Sequence, residues 1–74
     1  MFENLKKYLV EEFNVKSENI TMESELQGDL GLNSLELAQL VLDYETEYNI
    51  EIDDEKVSEF KTVGDVVRYL ENVK

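Results

Sequence analysis

The stretch Asp29-Leu30-Gly31-Leu32-Asn33-Ser34-Leu35-Glu36 sets a serine at the mouth of a helix, directly after a glycine turn. Asparagine is a preferred N-cap residue. A glutamate three positions later completes a capping box, in which each side chain takes the other residue's backbone N–H. The pattern predicts a helix that begins at Ser34, with this serine at the first helical position and its hydroxyl outward. The positive end of the helix dipole lies beneath that hydroxyl, a setting that suits a group bearing a phosphate.

Downstream of the box, Leu37, Leu40, Val41, Tyr44 and Tyr48 gather on one face at about 100° per residue. They predict a helix to about residue 48 with that face in the core. Leu35 and Leu42 share the opposite face, with Gln39 and Thr46 beside them. Glu36 and Asp43 border this patch on one side and Glu45 on the other. Upstream, Phe2, Leu5, Leu9 and Phe13 recur at helical spacing, flanked by Tyr8 and Val10, and predict a first helix over about 2–14. Residues 15–31 carry no sustained period. Their scattered apolar side chains, Ile20, Met22, Leu26 and Leu30, suggest a long ordered loop pinned to the core, and a loop of this length is more often functional than not. After Tyr48, Ile50 and Ile52 alternate with Glu51 and Asp53, and Asp54–Val57 predicts a short helical turn. Thr62 with Asp65 is a second capping box, opening a last helix with Val63, Val66, Val67, Leu70 and Val73 inward. With no proline in the chain, glycines and Asx or Ser/Thr caps are the only punctuation.

Composition sets the outer limits. Seventy-four residues make one small domain over 1–74, near the size at which a single core only just outweighs chain entropy. The chain is 42% hydrophobic and 34% charged, which marks it as globular despite a net charge of −11. Eighteen acidic against seven basic residues exclude nucleic acid and anionic membrane as partners and favour partners that present Lys and Arg. Without cysteine there is no disulfide framework and no thiolate metal site, and without histidine there is no imidazole base or ligand. No apolar run approaches the roughly 20 residues of a membrane span, and the N-terminus lacks the apolar segment of a signal peptide, so the expected location is cytoplasmic. Asp43, Glu45, Glu47, Asn49 and Glu51 faintly imitate a calcium-binding loop. Such a loop needs glycine where this chain has Tyr48, so no dedicated metal site is expected.

The segment Asp29–Glu36, taken with the helical pattern around it, closely resembles the attachment site of acyl carrier proteins, whose usual form is Asp-Ser-Leu preceded by Leu-Gly. The resemblance runs along nearly the whole chain. It implies an all-α fold: a small acyl-carrier-like bundle of three main helices plus one short helix, with a long loop between helices one and two. It also implies 4′-phosphopantetheine joined covalently to Ser34, whose thiol carries acyl groups as thioesters and presents them to fatty-acid or polyketide biosynthetic enzymes. Ser34 is then the substrate of a separate phosphopantetheinyl transferase that brings its own Mg²⁺ and coenzyme A. The chain itself is not an enzyme and has no catalytic residue, since a serine nucleophile of the usual kind needs a base that this chain lacks.

By the same resemblance, Asn33, Leu35, Glu36, Gln39, Leu42 and Glu45 meet the transferase and acyl-processing synthases, reductases and transferases through the basic docking patches of those enzymes. Leu37, Val41, Ile52, Val57 and Phe60 would line an acyl-chain cavity, and the carrier would act as a monomer. Asn33 departs from the family's usual aspartate; it caps equally well but gives up a negative charge. Gln39 departs too, at a position where acidic residues are frequent. Two alternatives stay open on the sequence. One is an aminoacyl or peptidyl carrier, including a D-alanyl carrier; the other is an unmodified acidic helical adaptor that docks a basic partner.

Overall fold

Two asparagines end the first two long helices. In the computed structural model, which describes residues 1–73, α1 (Phe2–Phe13) stops where Asn14 turns into the left-handed region at φ 58°. There the Asn14 N–H donates to Val10 O at 3.1 Å and the Val15 N–H to Leu9 O at 3.3 Å. α2 (Ser34–Tyr48) stops in the same way at Asn49, φ 56°, with the Ile50 N–H donating to Glu45 O at 3.0 Å. Asparagine tolerates this conformation better than other residues with a Cβ, so it serves here as glycine does elsewhere. The first helix thus ends one residue short of the predicted 2–14. α3 (Asp54–Val57) is one short turn, and α4 (Val63–Val73) closes the described chain. Among the described residues no strand forms, and no helix is long and apolar enough to cross a membrane.

The second predicted box is present. The Asp65 N–H donates to Thr62 Oγ1 at 3.2 Å, and Asp65 Oδ2 accepts from the N–H groups of both Thr62 and Lys61 at 3.1 Å. Partial burial opposes the charge of Asp65. The hydrogen bonds from Thr62, Lys61 and Arg68 outweigh that burial and hold the carboxyl below the ordinary carboxylate range.

The 20 residues from Asn14 to Asn33 are an ordered connection. A 3₁₀ turn (Ser17–Asn19) opens it, and the buried Ser24 closes the next bend by donating its hydroxyl to Asn19 O at 2.8 Å. The connection then pairs with the start of α4 through three backbone bonds: Leu26 N–H to Lys61 O (2.9 Å), Val63 N–H to Ser24 O (2.9 Å) and Gly64 N–H to Met22 O (2.8 Å). Gly64 is what permits the last of these, because a Cβ there would stand 2.9 Å from Met22 O. Side chains complete the seating. Ile20, Leu26 and Leu32 join Leu5, Leu9, Leu40, Val41, Tyr44, Val63, Val66, Val67 and Leu70 in a single core cluster.

α1 meets α2 through an aromatic run, Phe13–Tyr8–Tyr44–Tyr48, with ring centroids 5.3–5.6 Å apart and edge-on. The hydroxyls of this run are bonded as well: Tyr8 donates to Asp43 Oδ2, and Tyr44 to Asn4 Oδ1 at 2.9 Å. Burial, then the hydrogen bond to Asp43 and its charge, raise the Tyr8 pKa, so its proton stays in place and the link between the helices persists. One expectation fails. Val73 is 39% exposed, because α4 runs past the core, whose last α4 member is Leu70.

The packing assigns very different worth to two leucines outside α1 and α4. Leu26 sits in a loop yet is fully buried, whereas Leu42 lies in the middle of a helix and is 55% exposed. Leu26→Ala should therefore cost about 2–5 kcal/mol, as for a helical core leucine. Leu42→Ala should shift stability by no more than about 0.5 kcal/mol. Urea unfolding of both variants reads this difference as a lowered midpoint for the first and an unmoved one for the second.

Candidate functional site

The start of α2 is built by its own residues. Asn33 adopts extended backbone (φ −89°, ψ 178°), and its Oδ1 accepts the Glu36 N–H at 2.8 Å. Glu36 Oε1 accepts the Asn33 N–H in return at 3.0 Å, which completes the box. Just before it, Gly31 takes φ 74°, a conformation that costs glycine nothing, and Leu32 is anchored in the core at 4% exposure. A sharp turn, a buried anchor and a double cap thus fix where Ser34 stands. The residue is exposed, and its hydroxyl has no hydrogen-bond partner among the described residues.

Ser34 opens onto a groove of about 500 Å³ between α2, the end of α3 and two loops. Leu37, Val57 and Phe60 form its apolar wall, with Ala38 one turn along α2 from Ser34. Its polar side comes from Glu25, Gln27, Gly28, Ser58 and Lys61. Of the five residues expected around an acyl chain, Leu37, Val57 and Phe60 line this groove. Val41 and Ile52 do not line it; they are buried in the core cluster. The polar side was missed by the sequence reading, since loop residues carry no periodicity. The available signals were small residues: Ala38 on an otherwise large-residue helix, and Gly28, where a Cβ would stand 2.4 Å from Glu25 Oε1.

The outward face of α2 presents Leu35 at 82% and Leu42 at 55% exposure, with Asn33 and Gln39 also exposed. Its acids are less free than the sequence suggests. Glu36 holds the cap, Glu45 Oε2 accepts the Ile52 N–H at 2.6 Å, and Asp43 accepts from Tyr8 and from Gln39 Nε2 at 2.8 Å. Each of these carboxylates lies beside the patch while bracing the fold. The stretch that imitates a calcium loop is helical through Tyr48.

These residues fit a covalently attached phosphate-bearing arm. An unengaged hydroxyl lies at a helix start, where anions are favoured, and a cleft of mixed polarity leads away from it. The other serines offer less. Ser24 is buried and bonded to Asn19 O, Ser58 donates to Glu55 O at 2.7 Å, and Ser17 lies in the 3₁₀ turn, away from the groove lining.

Comparison with known proteins identifies the family. The family described as "Phosphopantetheine attachment site" matches residues 3–70. The acyl carrier protein of Wolinella succinogenes is 45% identical over 74 residues, covering 100% of this chain and 97% of that protein. That of Clostridium perfringens (strain SM101) is 44% identical over 70 residues, 95% of this chain and 92% of that protein. That of Helicobacter pylori (strain J99) is 39% identical over 74 residues, 100% and 95% respectively. A family match over nearly the whole chain and relatives matched along almost their full length place this chain in the phosphopantetheine-bearing acyl carrier protein family.

Proposed function

We propose that Ser34 is the residue to which 4′-phosphopantetheine is joined, and that the chain carries acyl groups on this arm between fatty-acid or polyketide biosynthetic enzymes. The observation that carries the assignment is the contrast among the four serines. Ser34 alone combines an unengaged, exposed hydroxyl with a capped helix start and a place on the groove. When attached, the arm supplies a terminal thiol for thioester linkage. The protein's part is to hold the attachment point rigidly, leave it open to a transferase and keep the load at high local concentration. The chain acts as a carrier and not as an enzyme, and the family membership favours an acyl cargo over an adaptor role.

In this reading, Leu35 and Leu42 with Asn33, Glu36, Gln39 and Glu45 form the docking face for basic partners. The leucines supply apolar contact and the acids supply steering. The apolar wall of Leu37, Val57 and Phe60 is where the first part of an acyl chain finds cover.

Two experiments test this. Incubated with coenzyme A and a carrier-protein transferase, the parent should gain the mass of one phosphopantetheine. Ser34→Ala should gain none while keeping its fold, since the lost hydroxyl bonds to none of the described residues. Gain of mass by Ser34→Ala would move the site elsewhere. For the docking face, Glu36→Gln and Glu45→Gln keep an acceptor oxygen for Asn33 and Ile52 but remove a charge. Both should leave the melting temperature nearly unchanged and slow transferase capture a few-fold at low salt, with the gap closing as ionic strength rises. Equal capture rates at low salt would remove these acids from recognition.

A further inference from the structure

Lys61 is the one base among the residues that line the groove at Ser34. Its backbone is held on both sides, for its N–H donates to Asp65 Oδ2 at 3.1 Å and its carbonyl accepts the Leu26 N–H at 2.9 Å. The root of the side chain is therefore fixed at the groove while the residue stays exposed. The ion pairs among the described residues are Lys56–Glu59 and Arg68–Asp65, and Lys61 takes part in neither. A chain with seven basic and eighteen acidic residues thus leaves an uncommitted cation at this groove.

The surroundings of Ser34 are otherwise acidic. Glu36 caps the helix, Glu25 lines the groove, and Asp29 holds the Glu25 N–H at 2.8 Å. A phosphodiester on Ser34 adds one more negative charge to this set, and Lys61 is the groove residue that opposes it. We infer that Lys61 is the counter-ion and positioning residue for that phosphodiester, steering the amide-bearing first stretch of the arm into the groove along Gln27, Gly28 and Ser58. The inference rests on the assignment of Ser34 made above. The lining suits such an occupant better than hydrocarbon on this side. The Gln27 side-chain amide is unengaged among the described residues, the Ser58 hydroxyl retains acceptor capacity, and Gly28 presents no Cβ.

The test uses uniformly ¹⁵N-labelled parent, Lys61→Gln and Lys61→Arg, each loaded from coenzyme A and checked by intact mass. In the parent, loading should shift the amide signals of Gln27, Gly28 and Ser58 as well as those adjoining Ser34. In Lys61→Gln the shifts at Gln27, Gly28 and Ser58 should vanish, and Lys61→Arg should restore them. In the loaded parent they should also fade at about 0.5 M salt, where screening acts over only a few ångströms. Identical shifts in parent and Lys61→Gln, shifts confined to residues 33–36 in all three proteins, or shifts unmoved by salt would each overturn the inference while leaving Ser34 in place. Failure of the parent to gain mass would instead refute the assignment of Ser34, and this inference with it.

Discussion

Everything at the functional end of this molecule depends on how the long connection before α2 is seated on the start of α4. Three backbone hydrogen bonds join Met22, Ser24 and Leu26 to Lys61, Val63 and Gly64, and the fully buried Leu26 lies among them. Without that seating the helix cap at Asn33 would still form and α2 would still pack on α1, but the loop side of the groove would not be held against it. The same bonds hold Lys61 at the groove edge, so one constraint places both the serine and its neighbouring cation. For a domain whose total stability is roughly 4–11 kcal/mol at about 0.05–0.15 kcal/mol per residue, a loop leucine is a substantial part of what keeps the site in order.

Ion pairs add little to the stability of this fold. The ion pairs among the described residues are surface pairs at i, i+3, a class worth about 0–1 kcal/mol each. The acids of α2 have a double role. Glu36, Asp43 and Glu45 each accept a hydrogen bond that shapes the fold, and their charge stays beside the exposed leucines. A charge reversal at Glu36 or Glu45 would therefore confuse a loss of partner attraction with a loss of a cap or of the Ile52 bond. The neutral glutamine replacement separates them.

The helices were legible in the sequence because their apolar residues repeat near 3.6 and their ends carry chemical marks. Both capping boxes stand where Asn33–Glu36 and Thr62–Asp65 announce them. The exposed Leu35–Leu42 pair followed from helical phase alone. The polar side of the groove was not legible, since the pairing that brings Lys61 beside Leu26 is made by backbone groups, which leave no side-chain pattern. Phase also failed to separate Val41 from Leu37: both lie on the inner half of α2, and only the loop packing shows which one borders open space. At Val73 the period was right, but the core had already ended at Leu70.

Amide hydrogen exchange tests the seating most directly, because it reads the three backbone bonds one at a time. The amides of Leu26, Val63 and Gly64 should be protected to the same degree as the interior amides of α2, such as that of Leu40, and should open with them in a single cooperative event. Exchange of Leu26, Val63 and Gly64 at near-unprotected rates, while Leu40 stays protected, would mean that the connection is not held on α4 and that the placement of Ser34 has another origin.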